Sequence, residues 1–555
     1  MWIDFEGIDG SGKTTLSNRV AERLRARGLE VVHARAGGEL PSALARKVRA
    51  ITRDASDPSM TPEAELLLNA AREAQLLAEV IRPALARGAV VIADRSLDSH
   101  LAMAQARGLP EERARAVLES VAGGGWADLV VLVDVDPDIA RLRKRASRLE
   151  SPREEPPGRK GLSGEALLLR MRSALHRAAQ AEPNRFVVVR NEEADLATLE
   201  RRIVAAVENK LATGVANTVP VADRRLPPVP PTDPAPLAAG TRPELEALLV
   251  ARVRRWMEAD PICAAMLLSG VDGAAAMELR RELAPRAPAA VAASLGSLPA
   301  SGIELLESLA EAAPRSVALA LALRTDARAE ALRQRLAAVR PAEIALGLAG
   351  RQDAASWELR ERLWEAAPEA VLASLAGDDG AAAWTLRSRA RTAGVPGDAI
   401  AASLAGLDGE RAWTWRDELE PAIPALLRSI RGCAMPQAWD LRRRWLEVAP
   451  RPVLKGIAGL DGEEAWALRW RAGAGAGEVL DSVLGMGGPQ ARALRAELAP
   501  FFPARALLSL PAAREEADHA LLRDVVARYG GHLLVLRAAL RALSGTSTVQ
   551  EEEAA

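Results

Sequence analysis

Over residues 1–212, short apolar runs alternate with longer stretches whose apolar positions recur at helical spacing. The runs are WIDFE (2–6), LEVVHA (29–34), AVVIAD (89–94), LVVLVDV (129–135) and RFVVVR (185–190), most of them rich in Val and Ile. Such runs suit strands buried on both faces, as in a parallel sheet. Between them, TLSNRVAERLRARG (15–28) and EALLLRMRSALHRAAQ (165–180) carry the spacing of amphipathic helices. Strands alternating with helices predict an α/β unit with right-handed crossovers.

The alternation stops at 213–243. Residues 219–236 alone hold seven prolines, which can build neither helix nor central strand. The segment is expected to be a semi-extended linker. From 244 the chain is written in Ala, Leu, Arg, Trp and Gly without strand runs. GLDGERAWTWRDEL (406–419) recurs as GLDGEEAWALRWRA (459–472), as GDDGAAAWTLRSRA (377–390) and more loosely as GVDGAAAMELRREL (270–283). Anchoring on Leu279, Leu305, Leu332, Leu359, Leu386, Trp415, Leu441, Leu468, Leu494 and Leu522 gives ten units spaced 26 to 29 residues apart; those at Leu305 and Leu522 fit poorly.

Each unit reads as two short helices. Asp272, Asp379, Asp408 and Asp461 stand where an N-cap is expected. A break such as EAAP (365–368) follows the first helix, and a second helix such as EAVLASLAG (369–377) ends at glycine, a natural C-cap. A unit this small cannot bury its own apolar face, so stacking must supply the core. The expectation over 244–545 is an all-α solenoid of HEAT-like, unusually short helical hairpins. Trp357, Trp384, Trp413, Trp439 and Trp466 precede their anchors by two positions. Packing between units is favoured over an aromatic cage because the tryptophans share the period itself. The Arg after the anchor (Arg280, Arg333, Arg360, Arg387, Arg416, Arg442, Arg469, Arg495, Arg523) reads as a structural ladder onto cap aspartates or helix C-terminal carbonyls rather than a phosphate reader.

Composition narrows the class. The chain of 555 residues carries 73 basic against 74 acidic residues and a formal charge of -1. That balance argues against a nucleic-acid-coating protein. Cys263 and Cys433 are the two cysteines, too few for a disulfide framework. With no signal-peptide pattern and no long apolar run, a cytoplasmic protein without a membrane segment is expected. The acidic stretch at 546–555 reads as a disordered tail.

Gly7-Ile8-Asp9-Gly10-Ser11-Gly12-Lys13-Thr14 satisfies G-x-x-x-x-G-K-[ST] between a strand run and a helical run, the context that gives the motif its meaning. Glycines let backbone N–H groups cradle phosphate oxygens, and the helix start near Lys13 turns its positive end on them. Lys13 adds a point charge and Thr14 a hydroxyl for Mg²⁺. Asp94-Arg95 ends the AVVIAD run, at the strand edge where open parallel sheets bind ligands. Asp94 suits a metal's water shell and Arg95 a phosphoryl group, against the plainer alternative of a sheet-edge salt bridge. Residues 141–160 are dense in Arg and broken by Pro and Gly from Ser151. They read either as a basic flap over transferring phosphates, with Arg148 as the candidate, or as a solvated loop. His100 stands near the site as a peripheral polar residue.

Together these residues resemble thymidylate kinases. FEGIDGSGKTT (5–15) is similar to that family's phosphate loop nearly letter for letter, EVIRPALARGAVVIADRSLDSHLA (79–102) to its Asp-Arg stretch and AEPNRFVVVRN (181–191) to its last strand. The resemblance spans about 1–208 and implies an α/β P-loop kinase domain with about five parallel strands. It implies MgATP as donor, held by Gly7 to Thr15, and a nucleoside monophosphate acceptor, typically dTMP. By resemblance Thr14 and Asp94 would hold metal, Arg95 the acceptor phosphate, and Asp9 would face the acceptor. Gly10 stands where some members carry a catalytic Arg; members with Gly there supply Arg from the flap. The kinase domain is also expected to dimerise, and the solenoid to bind a protein partner.

The departures lie on the acceptor side. The family's Phe-Ala-Ala-Asp-Arg-Ala-Gln helix is NAAREAQ (69–75), with Asn69 for the aromatic that stacks on thymine, Glu73 for Arg and Arg72 one position early. Its Arg-Glu-Pro-Gly-Gly-Thr loop is ARAGGE (34–39), and Ser96 replaces the Tyr of Asp-Arg-Tyr. Two functions follow: a kinase that phosphorylates dTMP or another nucleoside monophosphate, with the solenoid localising it or recruiting a partner, or an ATP-binding switch that no longer transfers phosphate to a nucleotide and regulates the repeat scaffold.

Overall fold

A computed structural model describes residues 1–35, 40–54, 59–150, 160–191, 196–213, 242–298, 300–472 and 477–544. The expected linker lies almost wholly outside these residues, as do the end of the Arg-rich stretch and the acidic tail. The chain divides into two compact units, one holding the sheet and the other the repeats.

The first unit has five strands, β1 (Trp2–Glu6), β2 (Val31–His33), β3 (Val90–Asp94), β4 (Leu129–Asp134) and β5 (Phe186–Arg190). They pair in parallel in the order β2-β3-β1-β4-β5. Among the described residues nine helices connect and cover them: α1 (Lys13–Arg25), α2 (Ala43–Arg53), α3 (Pro62–Leu76), α4 (Arg82–Ala86), α5 (Leu97–Ala106), α6 (Glu111–Ala122), α7 (Pro137–Glu150), α8 (Lys160–Ala181) and α9 (Leu196–Thr213). A π-helical turn, Leu77–Ile81, joins α3 to α4. The strands fall where the apolar runs predicted them; LEVVHA shortens to three residues. Ile3, Phe5, Val131 and Val133 face Leu16, Val20, Ile203 and Val207 on one side of the sheet. Trp2, Val130 and Leu132 face Leu66, Leu101, Leu118 and Leu175 on the other. Because β1 is central, the turn after it opens onto the strand ends of both neighbours.

The second unit is helical throughout its described residues, in pairs such as Ala381–Thr392 with Gly397–Ala402. Among the described residues no helix is long and apolar enough to cross a membrane. The glycine expected as a C-cap stands past the helix end: the second helix of its unit closes at Ala373 with Ser374 as its C-cap, and Gly377, at φ 78°, turns the chain three residues later, its N–H reaching Ala405 O of the next unit at 2.7 Å. The expected aspartate N-caps need correction. Gly273, Gly380 and Gly409 occupy the N-cap, one residue later. Asp379, Asp408 and Asp461 instead accept the indole N–H of Trp384, Trp413 and Trp466, at 2.7, 3.0 and 2.7 Å. Asp260, Asp326 and Asp353 do cap, accepting from Cys263 N, Ala329 N and Ser356 N.

The arginine ladder is structural, and carbonyls are its main partners. Arg280, Arg333, Arg360, Arg387, Arg416, Arg442, Arg469 and Arg495 are almost fully buried. Arg387 donates to Leu375 O and Asp378 O beyond one second helix and to Ser403 O at the end of the next, all within 2.9 Å. Arg416, Arg442, Arg469 and Arg495 likewise bridge carbonyls at the ends of two successive second helices, where the dipole favours a cation, while Arg280, Arg333 and Arg360 donate to carbonyls beyond one. Arg387 and Arg442 stand 4.9 and 4.5 Å from the ring centroids of Trp384 and Trp439, three residues earlier in the same helix, and Trp384 also meets Trp415 of the next unit with ring centroids 5.4 Å apart. Where the ladder skips Leu306, Arg324 reaches back to Leu295 O and Leu298 O. Arg523 leaves the ladder; it is exposed and pairs with Glu516. The two ends of the array meet. Helix Leu533–Ser544 packs on Arg242–Trp256, Arg252 donates to Gly531 O, and Arg537 donates to Met266 O at 3.2 Å.

Candidate active site

The turn after β1 wraps the start of α1. Gly10 (φ 88°) and Gly12 (φ 91°) hold left-handed conformations that side chains disfavour. A Cβ on Gly10 would lie 2.4 Å from Ala140 O of α7, so the loop has no room for an arginine there. Ile8 and Ser11 are buried, while Thr15 is exposed on the first turn of α1. Lys13 opens α1 and its Nζ donates to Ile8 O at 3.0 Å. Burial, with Arg95 close by, lowers the Lys13 ammonium to about 8 against the pull of Asp9, Asp94 and Glu6.

Thr14 Oγ1 donates to Asp94 Oδ2, joining the start of α1 to the end of β3. A hydroxyl and a carboxylate at one point are hard oxygen donors, and they fit a Mg²⁺ ion accompanying phosphates. Arg95 has φ 72°, a strained conformation for a residue with a side chain. It swings its guanidinium to Asp9 Oδ1 at 2.5 Å and to Ser99 Oγ at 3.1 Å. Behind it, buried Glu6 accepts from Ser96 N and Ser99 N at 3.1 Å and from Ser99 Oγ at 2.5 Å, which caps α5. Burial raises Glu6 to about 6, although Arg95 and these donors oppose it. Lys144 of α7 stands 3.8 Å from Asp9.

The acceptor-side candidates sit against this centre. Asn69, Arg72 and Glu73 lie on the buried face of α3, and Ser96 is fully buried at the start of α5. Arg35, two residues past β2, donates to both Glu73 carboxylate oxygens at 3.2 and 2.7 Å and to Asp94 O at 3.3 Å. His100 is not peripheral: its buried Nε2 lies 3.0 Å from Arg72 Nη2 and 3.3 Å from Glu73 Oε2. Burial lowers His100 to about 4, and a neutral Nε2 can accept from Arg72 or donate to Glu73, not both. Burial alone would raise Glu73, but Arg35, His100 and Arg72 bring it down to about 2. The structure thus gathers Lys13, Thr14, Asp9, Asp94 and Arg95, with Glu73 and Arg72 one shell beyond. Arg148 is exposed on the last turn of α7; Ala140 and Lys144 of the same helix meet the phosphate loop. Sequence reasoning passed over Glu6, Arg35 and Ser99. One signal was available: an acid inside a strand buried on both faces, as in WIDFE, needs a reason.

A family model for thymidylate kinase matches residues 5–203. Over 192 residues the chain is 41% identical to a thymidylate kinase of Pseudomonas fluorescens, covering 34% of this chain and 85% of that protein. The chain belongs to the thymidylate kinase family. A thymidylate kinase of Pelobacter propionicus is 37% identical over 214 residues, which is 38% of this chain and 95% of that protein. A solved thymidylate kinase structure from Ehrlichia chaffeensis matches 38% of this chain and 98% of its own at 22% identity, with a TM-score of 0.29. The thymidylate kinase match ends before the repeats begin, so the family accounts for the first unit only.

Proposed function

We propose that the first unit transfers the γ-phosphoryl group of MgATP to dTMP, releasing ADP and dTDP. The observation that carries this is the joining of Thr14 to Asp94 beside Lys13, with Arg95 held by Asp9 across the same opening. In this assignment the loop N–H groups of Gly7 to Thr14 and Lys13 hold the donor phosphates, with Thr15 beside them. Thr14 and Asp94 hold Mg²⁺, which when bound offsets charge on the transferring phosphates. Arg95, pinned by Asp9 and Ser99, holds the acceptor phosphate in line, and Arg148 remains the flap candidate. Positioning and charge supply most of the barrier reduction in such transfers. A specific observation favours an acceptor other than dTMP as a second reading: Glu73 engages Arg35 through both oxygens, so a carboxylate takes part of the charge an acceptor would use.

The test is ADP release from MgATP with a panel of nucleoside monophosphates, using Lys13→Ala as control. Turnover with dTMP alone supports the first reading, and turnover with another monophosphate the second. Tight MgATP binding without Lys13-dependent turnover on any acceptor refutes both and leaves an ATP-binding switch. For the repeats we propose a protein partner rather than nucleic acid. The basic ladder is buried, and exposed arginines such as Arg389, Arg391 and Arg471 pair with glutamates. Partner capture unaffected by removing 244–545 would refute that role.

A further inference from the structure

We infer that Asn191 is the positioning residue of the phosphate loop, an inference that rests on the donor half of the proposed kinase. A loop that turns its N–H groups inward to phosphates must turn carbonyls outward, and an outward carbonyl in a buried place needs a donor. Ser11 O is such a carbonyl, and the Asn191 side-chain amide donates to it at 2.8 Å. Asn191 is the residue after β5, and its own N–H is fixed to Asp134 O at 2.8 Å. The loop is therefore tied through one buried side chain to the ends of two strands. Asn191 is only 2% exposed.

Two further contacts set the amide's direction. Arg143 of α7 donates to Asn191 O at 2.8 Å and approaches Asn191 Oδ1 at 3.4 Å, which leaves the NH₂ group for Ser11. On the loop side, a Cβ at Gly12 would lie 2.5 Å from the Asn191 amide nitrogen. Gly12 is thus needed for this approach as well as for its φ. Alanine at 191 would leave Ser11 O without its donor. Aspartate would set a carboxylate oxygen against that carbonyl, a repulsion in place of a hydrogen bond.

The test is titration of MgATP into the full chain without acceptor, comparing the native protein with Asn191→Ala, Asn191→Asp and Asn191→Ser. ATP and monophosphate KM values are measured alongside, with thermal melts to confirm folding. The Kd for MgATP should rise about tenfold for the aspartate and several-fold for the alanine. The serine variant, whose hydroxyl can donate, should recover part of the affinity. ATP KM should follow Kd while monophosphate KM stays within about twofold, a split that general destabilisation would not produce. If the aspartate variant does not fold, the alanine and serine variants decide. Folded variants that bind MgATP within about twofold of native overturn the inference. A native chain that binds no MgATP overturns both it and the kinase. A native chain that binds MgATP but phosphorylates no monophosphate removes the acceptor assignment alone, and the Kd series still decides Asn191.

Discussion

Glu73→Gln is the substitution that most directly probes the unusual acceptor side. Glu73 is 1% exposed and receives two hydrogen bonds from Arg35, with His100 at 3.3 Å. Its carboxyl is lowered from an ordinary 4.5 to about 2. A depression of that order corresponds to roughly 3 kcal/mol favouring the folded state with Glu73 ionised. A depressed acid contributes this stability above its unfolded value, near 4.5, and loses it as pH falls toward about 2. Glutamine keeps the shape but removes the charge, leaving Arg35 and Arg72 uncompensated. The expected loss at pH 7 is about 2–3 kcal/mol, a fall of roughly 5–10 °C in the melting of the first unit. Thermal melts between pH 3 and 8 measure it. The native protein should show no Glu73-dependent change from pH 6 to 8 and should converge on the variant as pH falls below about 4.5. A variant melting within about 2 °C of native at pH 7 would refute the claim that this ion pair organises the site. In turnover, freeing Arg35 should lower the monophosphate KM in any variant population that remains folded.

Other outcomes follow from the same geometry. Lys13 titrates at about 8, so MgATP affinity should weaken as pH rises through that value; a Kd unchanged between pH 7 and 9.5 would show that its charge is not used. Gly10→Arg should abolish MgATP binding, measured by titration, because the new Cβ meets Ala140 O at 2.4 Å. In the repeats, Arg387→Leu removes the side-chain donor from Leu375 O, Asp378 O and Ser403 O and should cost about 2–5 kcal/mol in the melting of the second unit. Exposed Arg523→Ala should change it by less than about 0.5 kcal/mol. Equal effects of the two would undo the distinction between ladder and surface.

The sequence by itself determined the strand runs, the repeat period and the place of the phosphate-loop motif. Val- and Ile-rich runs read as strands of a parallel sheet because their short length, β-branched content and flanking helical stretches are all local features. The phosphate-loop motif was legible because its glycines, Lys13 and Thr14 stand together in one short stretch of chain. The repeats were legible through a period of 26 to 29 residues. What needed tertiary structure was every pairing across distance. Asp94 meets Thr14 80 residues away and Asn191 meets Ser11 180 residues away, contacts that strand order creates and no window of sequence contains. Arg35 and His100 carried no motif of their own, and their roles arise because both reach Glu73. The cap aspartates were misassigned by one residue because the indole five positions on competes for the carboxylate. The meeting of the array's ends depends on the small rotation per unit, summed over all of them, a quantity that side-chain pattern does not encode.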